Sequence, residues 1–180
     1  MLLVDGLTGV RRREVGLLEL EREITRARRT GQSFLLTFID VDGLKATNDT
    51  YGHAAGDRRL VGAADAVRGH IRGYDLLVRL GGDEFLCAQT GVTAADTVAR
   101  FAQVNADLAA AGAGSVSVGI AELAPADSLT DLIARADTAM YRSRDPAPAA
   151  DHAGSADHDD PADPADHDDR GDRGDRGGSP

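Results

Sequence analysis

The stretch Ser33–Val41, SFLLTFIDV, does most to limit what this chain can become. Phe34, Leu35, Leu36, Phe38 and Ile39 leave no polar alternate face, so a strand built from them must be covered on both sides, inside a sheet. It ends in acid, at Asp40 and Asp42. An internal strand that finishes in carboxylates delivers them to a sheet edge at fixed positions, where hard oxygen donors suit Mg²⁺ or Mn²⁺. Gly43 follows, and its turn would let backbone N–H groups approach phosphate at the start of a short helix, with Lys45 as an added cation.

The rest of the chain supplies covering layers. Residues 11–30 carry Val15, Leu17, Leu18, Leu20, Ile24 and Ala27 at helical spacing and stop at Thr30-Gly31. Helical patterns are also predicted over about 53–71, 93–110 and 129–144, and strands over 74–80, 84–90 and 115–121. The strands 74–80 and 84–90 join through Gly81-Gly82, a hairpin signal that leaves Asp83 at the turn. Helices and strands alternate irregularly around one hairpin, which predicts an α+β fold with a mostly antiparallel sheet. A glycine tip that presents the adjacent carboxylates of Asp83 and Glu84 is an odd way to make a stable turn. With Asp40 it forms two acidic strand ends that invite a shared cation, able to polarise phosphate oxygens and raise the acidity of an attacking hydroxyl. Asp42 reads equally well as a capping acid.

Hydrophobic residues thin out after Arg144, so the fold is expected over 1–144, followed by an acidic Asp/His/Pro/Gly-rich tail over 145–180. The tail holds eleven Asp and three Arg, which account for −8 of the formal net charge of −10. The folded part is close to neutral: an anionic nucleotide is compatible with it, whereas nucleic-acid binding has no support. The tail cannot bury enough to offset its ordering entropy and is predicted disordered, a solvating segment rather than a metal site. The single cysteine, Cys87, excludes an intramolecular disulfide and reads as a core thiol. There is no secretory signal and no run near the roughly 18–20 apolar residues of a membrane span, so the expectation is a cytoplasmic protein without membrane insertion.

Gly81–Phe85 spells GGDEF, and residues 5–144 resemble the GGDEF-type diguanylate cyclases. The likeness extends, in order, through Asp5-Gly6-Leu7-Thr8-Gly9, Asp40–Lys45, Asn48-Asp49 with Gly52-His53 and Gly56-Asp57, Ser117-Val118-Gly119-Ile120, and Ala136-Asp137 with Tyr141. It implies a nucleotidyl cyclase architecture of the palm or ferredoxin-like type. It also implies synthesis of cyclic di-GMP from two GTP, each held by one subunit of a two-fold dimer, with pyrophosphate leaving. By the same resemblance Asp40, the Val41 carbonyl and Asp83 bind the metal, and Glu84 supports a second ion or the attacking hydroxyl. Gly43, Leu44, Lys45 and Arg144 meet the phosphates. Asn48 and Asp57 read guanine, in keeping with their chemistry: a carboxylate accepts from N1–H and the N2 amino group, while an amide donates to O6. Arg72-Gly73-Tyr74-Asp75, which ends five residues before Gly81, resembles the family's R-x-x-D product-inhibition site for cyclic di-GMP.

Some positions depart from the family pattern. Val10 followed by Arg11-Arg12-Arg13-Glu14 stands where Leu and x-N-R-R are usual, and Leu44 replaces Phe. Arg144 stands at a usual Lys, and Ala147-Pro148-Ala149 replaces a G-R-N that carries a phosphate-binding arginine. An alternative expectation is therefore a weak or inactive module that senses cyclic di-GMP or GTP. Only four residues precede Asp5, so the homodimer is expected to be transient, formed by collision rather than through a tether.

Overall fold

The computed structural model describes residues 3–144; the tail assigned to 145–180 lies outside the described residues. The strand Phe34–Val41, β2, is buried along nearly all of its length and lies inside a five-stranded sheet, as its apolar faces require. In chain order the elements are β1 (Arg11–Arg12), α1 (Arg13–Thr30), β2, α2 (Leu44–Tyr51), α3 (His53–His70), β3 (Leu76–Gly81), β4 (Glu84–Thr90), α4 (Ala94–Ala110), β5 (Val116–Glu122) and α5 (Leu129–Arg144). The sheet order is β1-β3-β4-β2-β5, with β1 parallel to β3 and every other neighbour antiparallel. The mostly antiparallel α+β reading holds.

Alternation along the strands divides the core in two. Ile39, Val41, Phe85, Cys87 and Val116 face α3 and α4, where they meet Leu60, Val67, Phe101 and Val104. Phe34, Leu36, Phe38, Leu86 and Ala121 face α1 and α5, where they meet Leu20, Ile24, Leu132 and Met140. Cys87 is fully buried, and burial pushes its thiol well above the usual range.

Local chemistry sets the element ends. Gly31 takes a left-handed conformation (φ 66°) after α1 and returns its N–H to the Ala27 carbonyl. Thr93 and Asp96 form a reciprocal capping box at the start of α4. The sequence reading missed β1, assigning its two residues to the first helix. They pair with Val78 and Arg79, a tertiary contact that has no period to detect. The hairpin also sits one residue later than expected: Gly81 already pairs with Glu84, so Gly82 and Asp83 form the turn.

Two glycines set how closely helices lie on the sheet. A Cβ on Gly16 of α1 would come within 2.3 Å of a Val78 methyl, and one on Gly119 of β5 would come within 2.0 Å of the Met140 backbone nitrogen in α5. The second neighbour is main chain and cannot rotate away. Gly119→Ala should therefore destabilise the fold by about 1–3 kcal/mol. Gly69→Ala, at a helical position with nothing within 4 Å, should stabilise it by about 0.4–1 kcal/mol. Urea midpoints of the two variants check both signs.

Candidate active site

The C-terminal end of β2 and the turn between β3 and β4 meet at one sheet edge. Asp40 lies opposite Glu84 on one side and Ser117 on the other. The Val41 N–H donates to the Asp83 carbonyl at 3.0 Å, so the hairpin turn folds onto the end of the central strand and brings Asp83 beside Asp40. A brace holds the turn. Arg79 donates to the Gly82 carbonyl at 2.7 Å through Nη2 and to Asp5 Oδ1 at 3.0 Å through Nη1. Thr8 fixes Asp5 in turn, through its N–H at 2.8 Å and its hydroxyl at 2.7 Å. Burial disfavours the Asp5 carboxylate, but the Thr8 and Arg79 bonds outweigh it and hold its pKa below the ordinary value. The sequence reading quoted Asp5 within a motif and gave Arg79 no role. The lone arginine two residues before the glycines was the available signal.

The acids repel one another. Burial raises the pKa of Asp40, and Asp83 and Asp42 push the same way, against the opposing pull of Arg144. Burial also raises Glu84, with Asp40, Asp83 and Asp137 adding to the effect. Arg144, at the end of α5, answers part of this charge. It reaches Asp40 at 2.5 Å, Asp42 at 2.8 Å and the Ser117 hydroxyl at 3.0 Å. Asp42 has both oxygens engaged, by Ser117 at 2.6 Å and Ser115 at 2.7 Å besides Arg144. Burial raises its pKa, but these bonds overcome it and leave the group below its ordinary value. Asp42 is thus a strut; Asp40 shares the single charge of Arg144 with it, and Asp83 and Glu84 make no ion pair among the described residues.

That chemistry fits a divalent cation. Among the described residues no three acid, His or Cys side chains already converge as a complete cage. Mg²⁺ does not need one, since it is commonly held by one or two carboxylates with water and substrate phosphates completing its shell.

Beside the acids the chain turns through Gly43 (φ 67°) into α2, whose first turn has no side-chain cap. Its leading N–H groups are the kind that meet anions. Leu44 packs towards the core and Lys45 is exposed. Further along α2, Asn48 is half-buried, with its side-chain oxygen packed against Gly56 and without a hydrogen-bond partner. A Cβ at Gly56 would lie 1.9 Å from that oxygen. Asp57 is exposed on α3, just past its first turn. Gly43, Lys45, Asn48 and Asp57 thus belong to one helix–turn–helix alongside the acid edge.

Arg72 and Asp75 lie at the opposite end of β3, roughly 20 Å from the hairpin by strand rise. They make a turn, with the Asp75 N–H donating to the Arg72 carbonyl at 2.9 Å and the Arg72 N–H donating to Asp75 Oδ2 at 2.9 Å. Gln89 donates to the same oxygen at 3.1 Å, and the Asp75 side chain is only 1% exposed. Asp75 thus faces inward. Arg72 faces out over the Tyr74 ring, into a cleft of about 550 Å³ that Arg26 of α1 also lines. Arg26 escaped the sequence reading because only the fold brings α1 to this turn.

Comparison with known proteins agrees with this architecture. The sequence model of the family described as "Diguanylate cyclase, GGDEF domain" matches residues 2–147. Over 152 residues the chain is 38% identical to the bifunctional diguanylate cyclase/cyclic di-GMP phosphodiesterase MucR of Pseudomonas aeruginosa, covering 79% of this chain and 22% of MucR. It is 36% identical over 146 residues to an uncharacterized 19.3 kDa protein in the repSA 5′ region of Streptomyces ambofaciens, covering 78% of this chain and 77% of that one. The crystal structure of the GGDEF domain of DgcB from Caulobacter crescentus in complex with c-di-GMP superposes with a TM-score of 0.76 at 28% identity, over 80% of this chain and 91% of that one. The match takes in the Asp5 turn, the acid edge and the whole of α5, and the chain belongs to the GGDEF-domain diguanylate cyclase family.

Proposed function

We propose that this chain condenses two GTP into cyclic di-GMP, with one nucleotide on each of two copies of the chain that meet transiently. The supporting observation is the pairing of Asp40 with Glu84 at a strand end onto which Asp83 is folded, next to the uncapped turn at Gly43. In this reading the 3′-hydroxyl of each GTP attacks the α-phosphorus of the other. Each attack forms one phosphodiester bond, breaks one α–β P–O bond and releases pyrophosphate and a proton. Asp40, the Val41 carbonyl, Asp83 and Glu84 would hold Mg²⁺ or Mn²⁺, which supplies charge stabilisation at the phosphates when bound. Gly43, Leu44 and Lys45 bind the phosphate chain, joined by Arg144 once it leaves the acids. Glu84 orients the attacking hydroxyl. Asn48 and Asp57 read the base; the Asn48 side chain spends no hydrogen bond on the described residues, which supports this by leaving its amide N–H₂ available to a guanine O6.

A second reading, a module that binds cyclic di-GMP without making it, draws support from the cleft at Arg72 and from the engagement of Arg144 by the acids. One experiment separates the two. Purified protein with GTP and Mg²⁺ should yield cyclic di-GMP on chromatography of the nucleotides. Asp83→Asn should yield none while keeping its melting temperature, because it alters a surface turn rather than packing. Binding of cyclic di-GMP without synthesis by the unmodified protein would favour the sensor.

Gly56→Ala tests the base site. The added methyl drives Asn48 from its position and should weaken GTP binding about 3–10-fold by calorimetry, the worth of one hydrogen bond.

At the cleft, Arg72→Ala should weaken cyclic di-GMP binding at least about tenfold, through loss of a charge-assisted contact, and leave the melting temperature of the free protein nearly unchanged. Asp75→Ala should lower both the affinity and the melting temperature, since its carboxylate holds the turn from inside.

A further inference from the structure

Arg59 lies on α3, two residues beyond Asp57, and has no part in the chemistry above. Its side chain runs under the Gly43 turn. Nη1 donates to the Thr47 hydroxyl at 2.8 Å, and Thr47 donates to the Gly43 carbonyl through both its hydroxyl (3.1 Å) and its N–H (3.0 Å). A Cβ built on Gly43 would lie 3.8 Å from Nη2 of Arg59. On the other side the guanidinium rests on bare backbone at Gly114, where a Cβ would come within 2.0 Å of Nη2 and 2.4 Å of Cζ. The next residue, Ser115, bonds Asp42 through its hydroxyl at 2.7 Å and accepts the Asp42 N–H at 3.0 Å. Arg59 is thus wedged between the two chain segments that define the Asp42-Gly43 turn.

The charge it brings there is unbalanced. Among the described residues no carboxylate lies within ion-pair distance of Arg59, and its Nε is buried without a hydrogen-bond partner. A half-buried guanidinium with an idle donor is unfavourable in the free protein. An anion in front of the turn would reverse that.

We propose that Arg59 is a positioning residue for the polyphosphate of the nucleotide. It pins the Gly43 turn through Thr47 and sets a positive charge behind it, so that the turn is already shaped for anionic oxygens before they arrive. The proposal rests on the reading of Gly43–Lys45 as the phosphate site. It predicts a dependence on phosphate number that a role in folding alone would not produce.

The test is calorimetry of GTP and GMP, with Mg²⁺, on the full chain and its Arg59→Met, Thr47→Val and Thr47→Ser variants. Arg59→Met should lower GTP affinity about tenfold and leave GMP affinity nearly unchanged. Thr47→Val should move the GTP:GMP ratio the same way, and Thr47→Ser, which keeps the hydroxyl, should restore it. If Arg59→Met fails to fold, the Thr47 pair decides. A GTP:GMP ratio that stays constant across folded variants, whether both affinities hold or fall together, overturns the proposal alone. Unmodified protein that binds GTP no better than GMP overturns the phosphate-site reading, and the proposal with it.

Discussion

The hydrogen bond from the Val41 N–H to the Asp83 carbonyl ties the end of the central strand to the hairpin turn, and the site depends on that closure. Its position follows from the β2–β4 register. Because side chains alternate with period two, a slip of one residue would send Asp40 and Glu84 to opposite faces. The slip is prevented far from the acids, in the body of the sheet. β2 is buried on both faces, so any shift would exchange Phe34, Leu36 and Phe38 with Leu35, Thr37 and Ile39 between two differently shaped cores. Hydrophobic packing thus fixes the separation of carboxylates that would otherwise move apart.

Holding those carboxylates together works against stability, and the surroundings show how it is offset. Asp42 is held by hydrogen bonds from two serines and an arginine and Asp5 by Thr8 and Arg79, while Asp40, despite its share of Arg144, and Glu84 stay disfavoured by burial and like charge. Local rules are broken where a charged ligand would repair them, as functional sites generally do. Arg59 repeats the pattern with the opposite sign on the far side of the same turn.

Most of the architecture was legible because it rests on periodicity and on glycine. Phe34–Val41 could only be an internal strand, and the paired glycines announced the hairpin to within one residue. The acids of the edge were legible for the same reason, since they terminate readable strands. What escaped was whatever depends on direction or on distant partners. The Arg72–Asp75 spacing suggests two outward side chains, but Gln89, 14 residues further on, draws Asp75 inward. Arg26 approaches Arg72 only after α1 has docked, and β1 exists only because β3 passes beside it. The contacts of Arg144 with Asp40 and Asp42 were not legible either, since they span 104 and 102 residues and no local pattern encodes them.

The two glycine contacts give the faces of this sheet different evolutionary freedom. Towards α3 and α4 the core is closed by side chains meeting side chains, and a lost methylene on one partner can be regained on another. Towards α1 and α5 it is closed at Gly16 and Gly119 by the lack of any side chain, with Met140 main chain as the neighbour in one case. A missing side chain cannot be made smaller: at Gly16 relief could come only from trimming Val78, and at Gly119 the main-chain neighbour offers none. Side-chain positions on either face can drift by small reciprocal steps, whereas change at Gly119 requires a shift of α5 as a whole, which would carry Arg144 with it.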